Sequence, residues 1–95
     1  MNEDRQPKFF LGQTLATPGA LESIQEANQS PMEFLQQHVA GKWGEVDEED
    51  ASENENVLLH GERILSVYRT TQDVKLRVIT EADRSATTIL LPEEY

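Results

Sequence analysis

The sequence predicts one α+β domain: an antiparallel sheet, made of an N-terminal strand and a C-terminal three-stranded meander, packed with three short helices in the order β-α-α-α-β-β-β. Two observations predict the helical layer and the sheet. Thr17-Pro18 and Ser30-Pro31 each open a run in which apolar residues recur at helical spacing. After Gly61 the period changes to two, in runs separated by polar turn residues. The length of 95 residues supplies one modest core and no second domain.

Residues 1–8 are polar and include Pro7, which predicts a flexible arm ahead of a domain spanning 9–95. Phe9 to Thr17 mixes aromatic and β-competent residues, so it is expected to be a strand, with a bulge or close contact at Gly12. Thr17 then caps a helix that starts at Pro18 and turns Ala20, Leu21, Ile24 and Ala27 to one face. Ser30, Pro31 and Glu33 make a fuller start, with Glu33 placed for a capping box. Phe34, Leu35, His38 and Val39 form that helix's apolar stripe, and Gly41 ends it. The two helices are expected to pair as a hairpin.

Trp43, in the glycine-flanked loop that follows, is expected to plug the edge of the core. A third helix runs from an Asp47 cap to Gly61, with Ala51, Asn54 and Leu58 inward, Val57 flanking and Glu49 and Glu53 outward. Ile64 to Thr70 and Val74 to Thr80 then form a hairpin around Thr71-Gln72-Asp73. Val74, Leu76 and Val78 face the core, and Lys75 and Arg77 face the other side. A turn at Glu81 to Ser85 leads into the last strand, from Ala86, which Pro92 ends.

The formal charge is −10, and it is uneven: twelve acids face three bases up to Gly61, and six face five beyond it. Such a field repels nucleic acid and acidic membrane surfaces and attracts basic protein surfaces, including those of nucleic-acid-processing enzymes. The chain has no cysteine, which removes disulfides, thiolate metal sites and a cysteine nucleophile. Its longest apolar run, in ILL, cannot span a membrane, and no apolar leader follows the start, so a cytoplasmic protein is expected.

The acidic run Glu45, Asp47, Glu48, Glu49, Asp50, Glu53 and Glu55 contains no base. Acids are favoured at a helix start, and a charge run is often a solvated face. The alternative is a partner-binding surface, an array of carboxylates that imitates phosphates in a basic cleft. Calcium is rejected: counting from Asp47, an EF-hand loop needs glycine sixth and glutamate twelfth, where this chain has Ser52 and Leu58. Neither His38 nor His60 belongs to a metal-binding histidine pair, so no metal and no cofactor is expected.

A small toxin-like ribonuclease is the enzymatic alternative. It would use His60, Arg63, Tyr68, Arg69, Lys75, Arg77 and Arg84 on the meander to shuttle protons and stabilise phosphorane charge, against the repulsion of a −10 chain for RNA. Glu81, Asp83 and Arg84 form either a turn or an exposed docking point. A homodimer formed through an open sheet edge is the third reading.

The blocks FFLGQTLATPGALE, SPMEFLQQHVAGKWGEV, RILSVYRT and VITEADRSATTILLPEEY resemble a family of small uncharacterised bacterial proteins of plasmids and other mobile elements, loosely associated with restriction systems. Where that family would carry Asp-Gly after the S-V-Y-R run, this chain has Thr71-Gln72-Asp73. The resemblance implies no catalytic residues. It implies a mobile-element context in which small acidic proteins block restriction or CRISPR effectors.

Overall fold

A computed structural model describes residues 7–94, apart from the side chains of 57–60. Most of the expected arm, and Tyr95, lie outside this range. The elements are β1 (Gln13–Ala16), α1 (Pro18–Glu26), α2 (Pro31–Val39), α3 (Glu48–His60), β2 (Ile64–Arg69), β3 (Lys75–Thr80) and β4 (Ala86–Leu90), followed by a 3-10 turn at Pro92–Glu94. This is the predicted element order.

The caps act as the sequence implies. The Thr17 hydroxyl accepts from the Ala20 N–H (3.3 Å). Ser30 and Glu33 close a full capping box, Met32 N–H to Ser30 Oγ (3.2 Å) and Ser30 N–H to Glu33 Oε1 (3.2 Å). Each such cap stabilises its helix by about 1 kcal/mol, which matters for helices of nine residues. The helices pack on the sheet, α1 on β4 and α2 on β3, with α3 beside β2.

The sheet order is β1-β4-β3-β2. β2, β3 and β4 form the antiparallel meander, with Ser66 opposite Val78 and Val78 opposite Ile89. The N-terminal strand corrects the all-antiparallel expectation, since β1 runs parallel to β4, with Thr14 beside Thr87. Parallel neighbours need a long connection, and everything between Thr17 and Ser85 provides one.

β1 is also shorter than expected. Gly12 takes a left-handed φ of 67° and presses against the Arg84 and Ser85 carbonyls, where a Cβ would collide with backbone. The kink turns Phe9 and Leu11 out of the sheet onto the core and leaves Phe10 exposed. There Phe9 stacks on Trp43 (6.3 Å between ring centroids) and meets His38 edge-on (5.2 Å). Lys8, assigned to the arm by the sequence, is tied by its N–H to the Val39 carbonyl (2.7 Å).

The principal core joins Ala20, Ile24, Phe34 and Leu35 of the helices to Tyr68, Leu76, Val78 and Ile89 of the sheet. A smaller cluster of Trp43 and Ile64, with Phe9, Val46 and Ala51 against it, closes the α3 end. In the hairpin turn Asp73 itself adopts a positive φ of 66°. It thereby supplies the conformation that glycine would give in an Asp-Gly turn.

Candidate functional site

α3 is capped by Asp47, whose Oδ1 accepts the Asp50 N–H (2.8 Å). All seven acids from Glu45 to Glu55 are exposed, but they fall into two groups. Glu45, Asp47 and Glu55 serve the fold. Both Glu45 carboxylate oxygens accept from Arg69 Nε (3.0 Å each), which also raises the Arg69 pKa. Glu55 accepts the Trp43 indole N–H (3.1 Å) and faces Lys8 Nζ (3.7 Å).

The side chains of Glu48, Glu49, Asp50 and Glu53 make no hydrogen bond or ion pair among the described residues. The helix dipole favours Glu48, Glu49 and Asp50, which lie in the first turn. It does nothing for Glu53, which sits four residues after Glu49, a like-charge spacing that costs a helix about 0.2–0.5 kcal/mol.

A second constellation lies inside the core. Ser66, His38, Thr80 and Thr87 are each 0% exposed and form one chain of hydrogen bonds. Its direction follows from its last member. The Thr87 hydroxyl donates to the Leu11 carbonyl (2.7 Å), which can only accept, so Thr87 accepts from Thr80 (2.7 Å). Thr80 has then spent its proton and must accept from His38 Nε2–H (2.9 Å), leaving Nδ1 to accept from the Ser66 hydroxyl (2.5 Å). His38 is thus the neutral Nε2–H tautomer, and burial lowers its pKa to about 3.

A serine facing a histidine nitrogen resembles a nucleophile and its base. Here neither atom reaches solvent, and the ring's other neighbours are Phe9 and Trp43. The chain is a tie linking α2, β2, β3, β4 and the N-terminal segment. Sequence reasoning placed His38 on the apolar stripe but missed its partners. The signal was present: Ser66, Thr80 and Thr87 share the core-facing phase of their strands with Ile64, Val78 and Ile89.

The meander residues expected of a ribonuclease are not brought together. Tyr68 lies in the helix-covered core, its hydroxyl donating to the Lys42 carbonyl and its pKa pushed up to about 12 by burial. Lys75 and Arg77 alternate onto the opposite face. Arg69 is held by Glu45 and by Asp73 (3.2 Å), and Arg63 by Glu81 (3.3 Å). The His60 side chain lies outside the described residues.

The Glu81–Ser85 segment is built as a turn. Arg84 has a φ of 61°, and its Nη1 donates to the carbonyls of Glu62 (2.6 Å), Glu81 (3.1 Å) and Ala82 (3.1 Å). Its guanidinium lies 5.9 Å from the centroid of the Phe9 ring. Asp83 accepts the Ser85 N–H (3.0 Å). Glu81, Asp83 and Arg84 are therefore all engaged locally.

Among the described residues, no three His, Cys, Asp or Glu side chains are grouped to hold a metal ion, and no helix is long and apolar enough to cross a membrane. No family model, curated protein or solved structure matches this chain.

Proposed function

We propose that the chain is a cytoplasmic, non-enzymatic protein-binding module that presents the outer face of α3 to a basic surface on a nucleic-acid-processing enzyme. One observation carries this reading. The side chains of Glu48, Glu49, Asp50 and Glu53 make no hydrogen bond or ion pair among the described residues, while those of their neighbours Glu45, Asp47 and Glu55 are all used by the fold. A helix that keeps the unpaired Glu49/Glu53 repulsion gains no stability from it. The return is a compact patch of carboxylates that substitutes for phosphates in a basic groove. The resemblance to mobile-element proteins directs the search toward restriction and CRISPR effectors.

The test is capture of partners from a bacterial lysate by the tagged chain, at low and at high salt, with mass spectrometry as readout. The expected catch is a basic nucleic-acid-processing enzyme that is lost at high salt, since a screened contact weakens as the Debye length shrinks. Replacing Glu48, Glu49, Asp50 and Glu53 together by lysine should abolish capture, and replacing Glu49 and Glu53 by glutamine should weaken it with the melting temperature unchanged or raised. A folded quadruple variant that still captures the same enzyme would sink the proposal.

A further inference from the structure

The two edges of the sheet are finished in opposite ways. On the outward side of β2, the Asn54 amide pairs with both backbone groups of Leu65 (Nδ2–H to Leu65 O, 2.6 Å; Leu65 N–H to Oδ1, 3.2 Å). The Trp43–Glu45 segment pairs with both groups of Val67 (Val67 N–H to Trp43 O, 3.0 Å; Glu45 N–H to Val67 O, 2.7 Å). That edge is sealed at two successive outward positions.

Among the described residues β1 has no such seal. Gln13 N–H to Ser85 O (3.0 Å) and Thr17 N–H to Ile89 O (2.9 Å) show that the odd-numbered positions point at β4. The N–H and C=O groups of Thr14 and Ala16 therefore point away from the sheet, and no described residue bonds them. Edge strands are ordinarily guarded by charge or by proline. Here residues 9–21 carry no charge at all in a chain of −10. Leu15 on β1 is 45% exposed, and Phe10 just before it is 83% exposed.

We propose that β1 is a self-association edge, where β1 of a second copy pairs antiparallel across a two-fold axis at Leu15 and makes one sheet continuous through both copies. Gly12 breaks the strand on one side and Pro18 on the other, which leaves one register that uses both outward residues. Thr14 of each copy faces Ala16 of the other, giving about four backbone hydrogen bonds, with Leu15 opposite its own counterpart.

Charge selects a second copy as the occupant. α3 lies beside β2, at the far edge of the sheet from β1. In the pair, the two acidic helices stand beyond the two β2 strands, which are seven strand spacings, or roughly 34 Å, apart. That is several Debye lengths at physiological ionic strength. For two chains of −10 the uncharged run 9–21 keeps the α3 carboxylates away from the contact, with Glu94, held by the Gly19 N–H (3.0 Å), at one end of it. The pairing rests on β1 and is independent of any role for α3.

The test is sedimentation velocity of the full chain from about 10 μM to about 1 mM, because so small an interface gives weak, concentration-dependent association. The mass should move from 10.8 kDa toward twice that value, and further at high salt, where residual repulsion is screened. Thr14→Pro removes an outward N–H that makes no bond to β4 and should weaken the dimer at least about tenfold. Leu15→Cys introduces the chain's only thiol, placed where opposed Cα atoms lie about 4.5 Å apart. Mild oxidation should therefore cross-link it much faster than Gln25→Cys on exposed α1. A monomer at every concentration, a Thr14→Pro variant that dimerises like the parent, or equal cross-linking of the two cysteine variants would overturn the proposal. If Thr14→Pro does not fold, the cysteine comparison decides alone.

Discussion

Acidification from pH 7 to pH 5 is expected to remove about 2 kcal/mol of folding stability through one side chain, His38. Above pH 6.5 the ring is neutral in the folded and the unfolded chain alike. Between 6.5 and about 3 the unfolded chain takes up a proton that the buried ring refuses. Stability is thus complete above the unfolded value and falls as pH falls toward the folded one.

The cause is geometric. A second proton would sit on Nδ1, against a Ser66 hydroxyl already donating to that nitrogen, in a site with 0% exposure. Asp83 and Glu94 are held below the usual carboxylate range by bonds from Ser85 and Thr17, so their contributions are lost only at lower pH. A loss of this size should lower the melting temperature by roughly 8–16 °C in a domain of this length.

His38→Gln keeps a donor and an acceptor but cannot titrate. It should start less stable and change by no more than a few degrees over the same interval. Equal pH slopes for the two proteins would show that the loss arises elsewhere. Nitrogen NMR of the ring should show the Nε2–H tautomer, with no titration down to pH 5.

The fold was legible wherever a local rule decides. Thr17-Pro18, Ser30-Pro31-Glu33 and Asp47 start helices because a cap and the N–H that donates to it lie within four residues of each other. The alternation through Leu76 and Val78 declares which side of β3 is buried. What was not legible depends on partners distant in the chain. Nothing near β1 states that it will run parallel to β4, since that direction is set by the chain's return through three helices and a hairpin.

The acidic run illustrates both cases. Its exposure was readable from composition, but the separation of Glu45, Asp47 and Glu55 from Glu48, Glu49, Asp50 and Glu53 required the positions of Arg69, Trp43 and Lys8. The sequence likewise showed Arg84 in a turn without showing that it holds three carbonyls.

Asn54 carries the second large effect. Its amide acts as a strand one residue long: it donates to and accepts from Leu65, as a neighbouring peptide group would, and it is 4% exposed. Asn54→Leu preserves volume but leaves one N–H and one C=O of β2 without a partner beneath α3. Leaving such groups unpaired costs about 1–3 kcal/mol each, so a total loss of about 2–6 kcal/mol is expected in urea unfolding.

The consequence is more than lost stability. With the Leu65 position unpaired, only the Trp43–Glu45 segment at Val67 still seals β2, and wherever α3 lifts from it that strand offers a second edge to other chains. A molecule with one open edge stops at a dimer, whereas one with two can continue into longer assemblies. Asn54→Leu should therefore scatter light increasingly at concentrations where the parent stays clear, and Thr14→Pro in the same chain should suppress that growth. A variant within about 0.5 kcal/mol of the parent, the scatter typical of a surface substitution, would mean that Asn54 does not seal the edge.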